Sequence, residues 1–148
     1  MKKFFLVIAS LSGIIALSSF DNNSAINKKV LHSFHSEYGN PPNARWTAYP
    51  NDDYVVFKQN NILVRAEYDL HGNQLYALRY FDAKHLPSSV LDNVQEQFPG
   101  KKIDNVTEVT TPNGMSYVIQ LEDNKSFTTL ISDIDGDIAV QNQFQKAS

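Results

Sequence analysis

The carboxylates that best resemble a binding site form a short run near the C-terminus. Asp133, Asp135 and Asp137 alternate around a glycine, and alternate carboxylates before a glycine are typical of calcium-binding loops. A complete EF-hand loop also needs a further ligand before its glycine and a bidentate glutamate at its end, where this chain has Asn142. A hairpin turn is therefore the favoured interpretation, and weak calcium binding at these three aspartates is the alternative.

The histidines and serines do not form a catalytic or metal-binding set. His32 and His35 are three residues apart on a predicted helix, but they lie opposite its apolar stripe and lack a third ligand. Ser88 and Ser89 precede a second predicted helix without a G-x-S-x-G motif, and Ser89 with Asp92 has the spacing of a capping box. The sequence thus predicts no catalytic residue, no enzyme activity and no cofactor.

Aromatic side chains are the remaining candidates for function, and they crowd the first half of the chain. In the predicted strand 74–81, alternation sends Tyr76 and Tyr80 to the same side, and two helices can cover only one side of a sheet. Aromatic residues interspersed with arginines are typical of a recognition surface. We therefore predict an interaction face that contains Trp46, Tyr49, Tyr76, Tyr80 and Arg45. The alternative is that most aromatics pack under the helices or against neighbouring strands.

Length and composition limit what these residues can belong to. The chain has 148 residues, 13 Lys and Arg, 16 Asp and Glu, and no cysteine. This length suits one domain. The net charge of −3 argues against a nucleic-acid partner, which requires clustered Lys and Arg. The absence of cysteine from the sequence excludes a disulfide scaffold, a thiolate metal site and a cysteine nucleophile.

Residues 1–19 have the pattern of a cleaved signal peptide. Lys2 and Lys3 precede an apolar stretch, and Ala16 and Ser18 are small residues at the positions that signal peptidase inspects. An uncleaved anchor is the alternative. Cleavage would leave 11 basic and 16 acidic side chains, a net charge of −5, and no apolar segment of membrane length. We predict a periplasmic or secreted protein whose residues 20–148 form one domain.

The mature chain predicts a tandem repeat. Trp46 and Val106 correspond at an offset of sixty, the segments 54–57 and 117–120 at sixty-three, and the segments 68–72 and 132–136 at sixty-four. In the last pair of segments, His71 and Asn73 stand in place of Asp135 and Asp137, which a turn motif allows and a calcium site does not. Short insertions in two hairpin loops would account for the drift. The two repeats cover about residues 24–84 and 85–146.

Each repeat begins with an amphipathic helix and continues with period-two segments. Asn60 and Asn61 suit a tight hairpin turn because asparagine tolerates positive φ. The predicted strands are residues 44–49, 54–58, 62–68, 74–81, 102–111, 115–121, 126–132 and 138–144. The order α-β-β-β-β, present twice, predicts an α+β fold with two helices on one face of a curved antiparallel sheet.

This outline resembles the PepSY-like and β-lactamase-inhibitor-like (BLIP-like) secreted proteins of Gram-negative bacteria. The resemblance covers about residues 26–144 and rests on the order of five segments: ARW at 44–46, YVVF at 54–57, VRAEYDLHGNQL at 64–75, SYVIQL at 116–121 and SDIDGDI at 132–138. It implies a periplasmic or secreted location and two helices on a curved sheet. The namesake inhibitors carry disulfides and bind a protein enzyme. This chain has no cysteine, so β-lactamase inhibition does not carry over.

Three hypotheses for function follow from the sequence. The favoured one is a non-enzymatic binding module whose helix-free sheet face holds an unknown protein or peptide of the cell envelope. The first alternative is a periplasmic protein that binds a small ligand or calcium. The second alternative, suggested by the PepSY resemblance, is an inhibitor that regulates a protease.

Overall fold

The computed structural model describes residues 26–147, so the predicted signal peptide at 1–19 lies outside the described part. Two helices and eight strands follow one another in the order that the sequence predicts. They are α1 (Lys28–Tyr38), β1 (Arg45–Ala48), β2 (Asp52–Gln59), β3 (Ile62–Asp69), β4 (Gln74–Phe81), α2 (Ser88–Gln97), β5 (Lys102–Thr111), β6 (Gly114–Glu122), β7 (Ser126–Asp133) and β8 (Ile138–Gln145), with a 3₁₀ turn at Ala83–His85 before α2. Within residues 26–147, no helix is long and apolar enough to cross a membrane.

All eight strands belong to one antiparallel sheet, in which their order is the order of the chain. The tight turn between β2 and β3 has positive φ at both Asn60 and Asn61, 51° and 65°, as a two-residue hairpin with the twist of its strands requires. Both helices pack on the same face of the sheet. The α+β prediction of two helices on one face of an antiparallel sheet is confirmed.

The space between helices and sheet holds two clusters of buried apolar side chains. Val30 and Phe34 of α1 pack against the first four strands. Val90 and Val94 of α2 pack against the last four. The alternating burial of the strands shows why the helices lie there. In β2, β3 and β6 every second residue is buried and nearly all of these residues are apolar, so one face of each strand requires cover.

Equivalent residues of the two repeats are separated by sixty positions before the β5–β6 hairpin and by sixty-four after it. The separation therefore changes once along the chain and not twice. Trp46 pairs with Val55 in the first repeat, and Val106 pairs with Ile119 in the second. Val55 therefore corresponds to Ile119 at an offset of sixty-four, and the match at sixty-three that the sequence suggested is wrong. A slip of one residue would move every side chain of the strand to the other face. The second repeat thus has four more residues than the first between these paired positions, and all four lie in the β5–β6 hairpin. Val109 of this hairpin pairs with Leu78 of β4 and so joins the two halves.

The start of α2 differs from the prediction. Ser89 does not cap this helix, because the helix begins at Ser88 and Pro87 occupies the N-cap position. The backbone N–H of Leu91 donates to the carbonyl of Pro87. The 3₁₀ turn and Pro87 together set the direction of the chain at this point, and proline fixes φ without a capping side chain. The capping box of Ser89 and Asp92 is thus wrong.

Candidate functional site

The register of the sheet defines which side chains lie on the face away from the helices. Directly paired residues on neighbouring strands point to the same face. Val55, Ala66 and Ala77 pair in sequence and belong to the core under α1. Their chain neighbours Tyr54 and Tyr76 therefore lie on the opposite face. We call this helix-free side the open face.

Four of the five residues predicted for the interaction surface lie on the open face. Arg45 pairs with Val56, which places it there, and alternation along β1 directs Tyr49 to the same side. Tyr80 pairs with Leu63, one residue from the buried Val64, and Tyr76 pairs with Glu67. Arg45 and Tyr49 are exposed, whereas Tyr76 and Tyr80 are partly buried.

Trp46 is a correction to this set, because it lies on the helix-covered face. Its ring meets Phe34 of α1 edge-on with 4.9 Å between the ring centroids, and it packs against the first core cluster. It pairs with Val55, which is fully buried. The indole therefore contributes to the core of the first half and not to the open face.

Tyr54, Asp52 and Glu67 also lie on the open face in the first half, and the sequence analysis did not select them. Tyr54 pairs with Glu67 across β2 and β3, and Glu67 pairs with Tyr76 across β3 and β4. The alternation of β2 places Tyr54 and Asp52 on the same side, but which side depends on its pairing with β3. Only the register brings these residues together with Tyr76.

Together with Tyr49, these side chains line a cleft of about 360 Å³. We call it the tyrosine cleft; its residues are Tyr49, Asp52, Tyr54, Glu67 and Tyr76. The Tyr76 hydroxyl donates a hydrogen bond of 2.5 Å to Glu67 Oε2. Burial raises the pKa of Tyr76, and its hydrogen bond to Glu67 raises it further; burial also raises the pKa of Tyr54. Both hydroxyls are therefore protonated at neutral pH, and that of Tyr76 is already donated to Glu67.

Next to the tyrosine cleft, an arginine lies over a tyrosine ring. The guanidinium carbon of Arg65 is 5.2 Å from the centroid of the Tyr80 ring, within the range of a cation–π interaction. Leu78, which pairs with Arg65 and lies two residues from Tyr80 on β4, is only 6% exposed although it lies on the helix-free side. The side chains of the open face therefore cover one another at its centre.

The second half of the open face has a different chemistry. The positions that correspond to Asp52, Tyr54 and Glu67 at the offset of sixty-four are Ser116, Val118 and Ile131. Its exposed aromatics are confined to the last two strands, where Phe127 pairs with Phe144 and Lys146 Nζ lies 4.6 Å from the Phe127 ring. The accumulation of tyrosine, arginine and carboxylate is thus a property of the first half.

The predicted turn at Asp133 is present, and the same turn occurs in the first half. The Oδ1 of Asp133 accepts hydrogen bonds from the backbone N–H groups of Asp135 and Asp137, at 3.0 and 2.9 Å. Asp69 accepts the equivalent bonds from His71 and Asn73 at 2.8 and 2.9 Å. These two aspartates therefore serve to close hairpins, which is the interpretation that the sequence favoured.

The histidines lie apart from these residues. His32 and His35 are exposed on α1, His71 is exposed in the β3–β4 turn, and His85 Nδ1 is 3.0 Å from Asp82 Oδ1. In the part of the chain that the structure describes, no group of three or more His, Asp and Glu side chains is placed to hold a metal ion. The arrangement that remains for function is the open face of the first half.

Comparison with known proteins bears on the fold. No protein-family model matches the sequence, and no curated protein matches it. A BLIP-like protein from Bacteroides fragilis NCTC 9343 matches with a TM-score of 0.67 and 15% identity, over 82% of this chain and 86% of its own. A DUF2874 family protein from Bacteroides ovatus ATCC 8483 matches with a TM-score of 0.66 and 16% identity, over 82% and 88%. This chain shares their fold.

A third matching structure belongs to a protein that is described by its cellular location. It is a predicted periplasmic protein from Bacteroides eggerthii DSM 20697, with a TM-score of 0.65 and 15% identity over 82% of this chain and 89% of its own. Identities this low support the BLIP-like resemblance at the level of the fold. The residues of the open face must carry the argument for function.

Proposed function

We propose that the protein is a non-enzymatic binding module that holds a protein or peptide partner against the open face of its sheet. One observation carries the proposal. Both helices of the described chain pack on the other face, and the first half of the open face presents four tyrosines and two arginines: Tyr49, Tyr54, Tyr76, Tyr80, Arg45 and Arg65. Tyrosine and arginine are enriched among the residues that dominate binding energy at protein interfaces.

The location that we propose is outside the cytoplasm, in the periplasm or beyond it. The signal-peptide pattern of residues 1–19 supports this location. The match to a predicted periplasmic protein of the same fold also supports it. A partner in the cell envelope is consistent with both.

The other two hypotheses from the sequence have less support. Asp133 Oδ1 already accepts the two backbone hydrogen bonds that close this turn, and within residues 26–147 no group of three or more His, Asp and Glu side chains is placed to hold a metal ion. Regulation of a protease would use the same open face, because a protease is one kind of protein partner. It is therefore an outcome of the experiment below and not a separate site.

The experiment compares variants of the open face with a matched control. The mature chain is immobilised, partners from a cell-envelope extract are identified, and the dissociation constant of each purified partner is measured. We expect Tyr54→Ala and Tyr80→Ala each to weaken binding about tenfold or more, as truncation of a tyrosine at the centre of an interface does. A captured protease would also be assayed for inhibition.

Ile134→Ala is the control, because Ile134 is an exposed apolar residue in the β7–β8 turn, 53% exposed and outside the open face. It should leave the dissociation constant unchanged. Melting temperatures of all variants exclude a loss of folding. A partner that binds both tyrosine variants and the control with the same affinity would remove the proposal.

A further inference from the structure

The tyrosine cleft contains two carboxylates beside its three aromatic rings. Asp52 and Glu67 lie on adjacent strands, and Tyr54 pairs with Glu67 in the register. Among residues 26–147, neither carboxylate has a Lys, Arg or His nitrogen within 4.0 Å. The five residues that line the cleft therefore carry two carboxylates and no cation, and Arg65 lies beside them over the Tyr80 ring.

Aromatic walls and carboxylates both favour a cation. The face of a tyrosine ring attracts a positive charge, and a carboxylate accepts hydrogen bonds from an ammonium or a guanidinium. Tyr76 donates its hydroxyl to Oε2 of Glu67, which holds this carboxylate in place and leaves Oε1 available as an acceptor. An anion or a purely apolar group would meet unfavourable charge or unpaired carboxylates in the same place.

The open face itself supplies an example of the expected contact. Arg65 lies over the ring of Tyr80 at 5.2 Å, so one cation of this chain already uses a tyrosine of this face as a platform. Within the described residues, no corresponding cation lies over Tyr49, Tyr54 or Tyr76. A cation over these three rings would therefore come from another molecule.

We propose that the tyrosine cleft receives a lysine or arginine side chain of the polypeptide partner. The inference rests on the proposed function, because it names the part of the partner that the open face holds. Asp52 and Glu67 would pair with the cationic head group, and the aliphatic stem would lie against the rings of Tyr49, Tyr54 and Tyr76. Lysine and arginine have this combination of an apolar stem and a charged end.

The test uses two probes that differ only in the charge. Nα-acetyl-lysine methylamide presents the ammonium, and Nα-acetyl-norleucine methylamide presents almost the same chain without it. Each is titrated into the ¹⁵N-labelled mature protein at constant ionic strength, and the amide signals of residues 49–76 are followed by NMR. We expect saturable shifts with the lysine derivative and binding at least about fivefold weaker with the norleucine derivative, because two nearby charges interact by about 1 kcal/mol even in water.

Variants locate the binding. Asp52→Asn and Glu67→Gln should each weaken the lysine derivative about fivefold, and Gln at position 67 can still accept the hydrogen bond from Tyr76. Asp104→Asn is the control: it removes the same charge from an exposed residue of β5 outside the cleft and should leave the dissociation constant unchanged. Equal effects of all three variants would assign the binding to net charge and overturn the inference.

Two further outcomes would overturn it. One is equal affinity for the two derivatives, or no saturable shift with either. The other is a strong preference for free butylammonium over the capped lysine, which would assign the cleft to small amines. If the lysine derivative does not bind but Tyr54→Ala still weakens a protein partner, this inference fails and the proposed function stands. If the derivative binds but no open-face variant weakens a partner, the cleft selects cations and the proposed function fails.

Discussion

At the scale of single residues, two glycines mark where hairpin turns touch helices. A Cβ on Gly72 would lie 2.9 Å from the carbonyl oxygen of Lys29 and 2.8 Å from Ser33 Oγ. A Cβ on Gly136 would lie 3.1 Å from the carbonyl oxygen of Ser89. Both glycines also have positive φ, 89° and 96°. The β3–β4 turn thus approaches α1 in the same way as the β7–β8 turn approaches α2.

We predict that, because of this close approach, replacing Gly72 or Gly136 with alanine lowers the free energy of unfolding more than the same replacement at other glycines with positive φ. Gly39→Ala and Gly100→Ala are the controls, because both have positive φ and nothing within 4 Å of an added Cβ. The controls should lower the free energy of unfolding by about 1–2 kcal/mol, the cost of a positive φ for a residue with a Cβ. Gly72→Ala and Gly136→Ala should lose about 1–3 kcal/mol more, because the helix must move. Urea denaturation measures the difference, and equal losses in all four variants would contradict it.

Asp123 is a second residue whose surroundings make a testable prediction. Lys101 Nζ donates to Asp123 Oδ2 at 2.5 Å, and the backbone N–H groups of Lys125 and Ser126 donate to Oδ1. The hydrogen bond from Lys101, followed by that from the Lys125 backbone, holds the pKa of Asp123 well below its usual range. The folded state therefore prefers the ionised carboxylate more strongly than the unfolded chain does.

This depression of the pKa determines how stability depends on pH. The unfolded carboxyl titrates near about pH 4, so the stabilisation from Asp123 is fully present above that pH. It is lost as the pH falls below about 4 towards the lower pKa of the folded state. Asp123→Asn has no carboxyl group to protonate at this position. Its free energy of unfolding should therefore fall less than that of the unchanged protein between about pH 7 and about pH 3. Asp104→Asn is the control, and an unchanged acid dependence in the Asp123 variant would contradict the prediction.

At the scale of elements, the sequence predicts where the strands lie, but it predicts only in part which side chains of each strand face the core. The sequence predicted β4 and β5 with the bounds that the structure shows, because Gly and Pro turn residues delimit them: Gly72 before β4, Gly100 before β5 and Pro112 after it. It predicted β1 too, but a strand of four residues contains too little alternation to show which side faces the core. The face of Trp46 is decided by its partner Val55 on the next strand. Pairing between strands is long-range information that periodicity does not contain.

The two helices begin differently, and this difference makes a prediction. Asn27 Oδ1 accepts a hydrogen bond of 2.9 Å from the N–H of Lys29 and caps α1. In α2 the N-cap is Pro87, and Ser88 and Ser89 are the first residues of the helix. Asn27→Ala should therefore lower the free energy of unfolding by about 1 kcal/mol, the usual cost of removing a cap. Ser89→Ala should be nearly neutral. A loss from Ser89→Ala as large as that from Asn27→Ala would restore the capping box.

At the scale of the whole molecule, two cores share one sheet. The cluster under α1 and the cluster under α2 contain different residues. The strands β4 and β5 join them through five paired positions, and at this junction Arg79 Nη1 lies 2.9 Å from Glu108 Oε1. Glu108 is buried on the helix-covered face. The β5–β6 hairpin, which is longer than the β1–β2 hairpin, supplies part of this pairing. The sequence analysis did not reveal the longer hairpin, because the match at an offset of sixty-three made one insertion look like two shorter insertions in different loops.

This junction predicts that the two halves unfold together. Trp46, the one tryptophan of the sequence, packs on Phe34, so its fluorescence reports the first half alone. Far-ultraviolet circular dichroism reports both halves. Because continuous hydrogen bonding and a partly buried ion pair join them, we expect the two urea transitions to coincide. Fluorescence that changes at a lower or higher urea concentration than the circular dichroism would show that each repeat is an independent unit.

A variant of the ion pair distinguishes a coupled molecule from two units that happen to have equal stability. Glu108→Ala leaves the guanidinium of Arg79 without its partner at the junction. It should cost about 1–2 kcal/mol, less than for a fully buried pair because 37% of the Arg79 side chain is exposed. In a coupled molecule both transitions shift together to lower urea. If the junction were only a contact between independent units, Glu108→Ala would destabilise mainly the second half, to which Glu108 belongs. The urea transition measured by circular dichroism would then separate from the transition measured by tryptophan fluorescence.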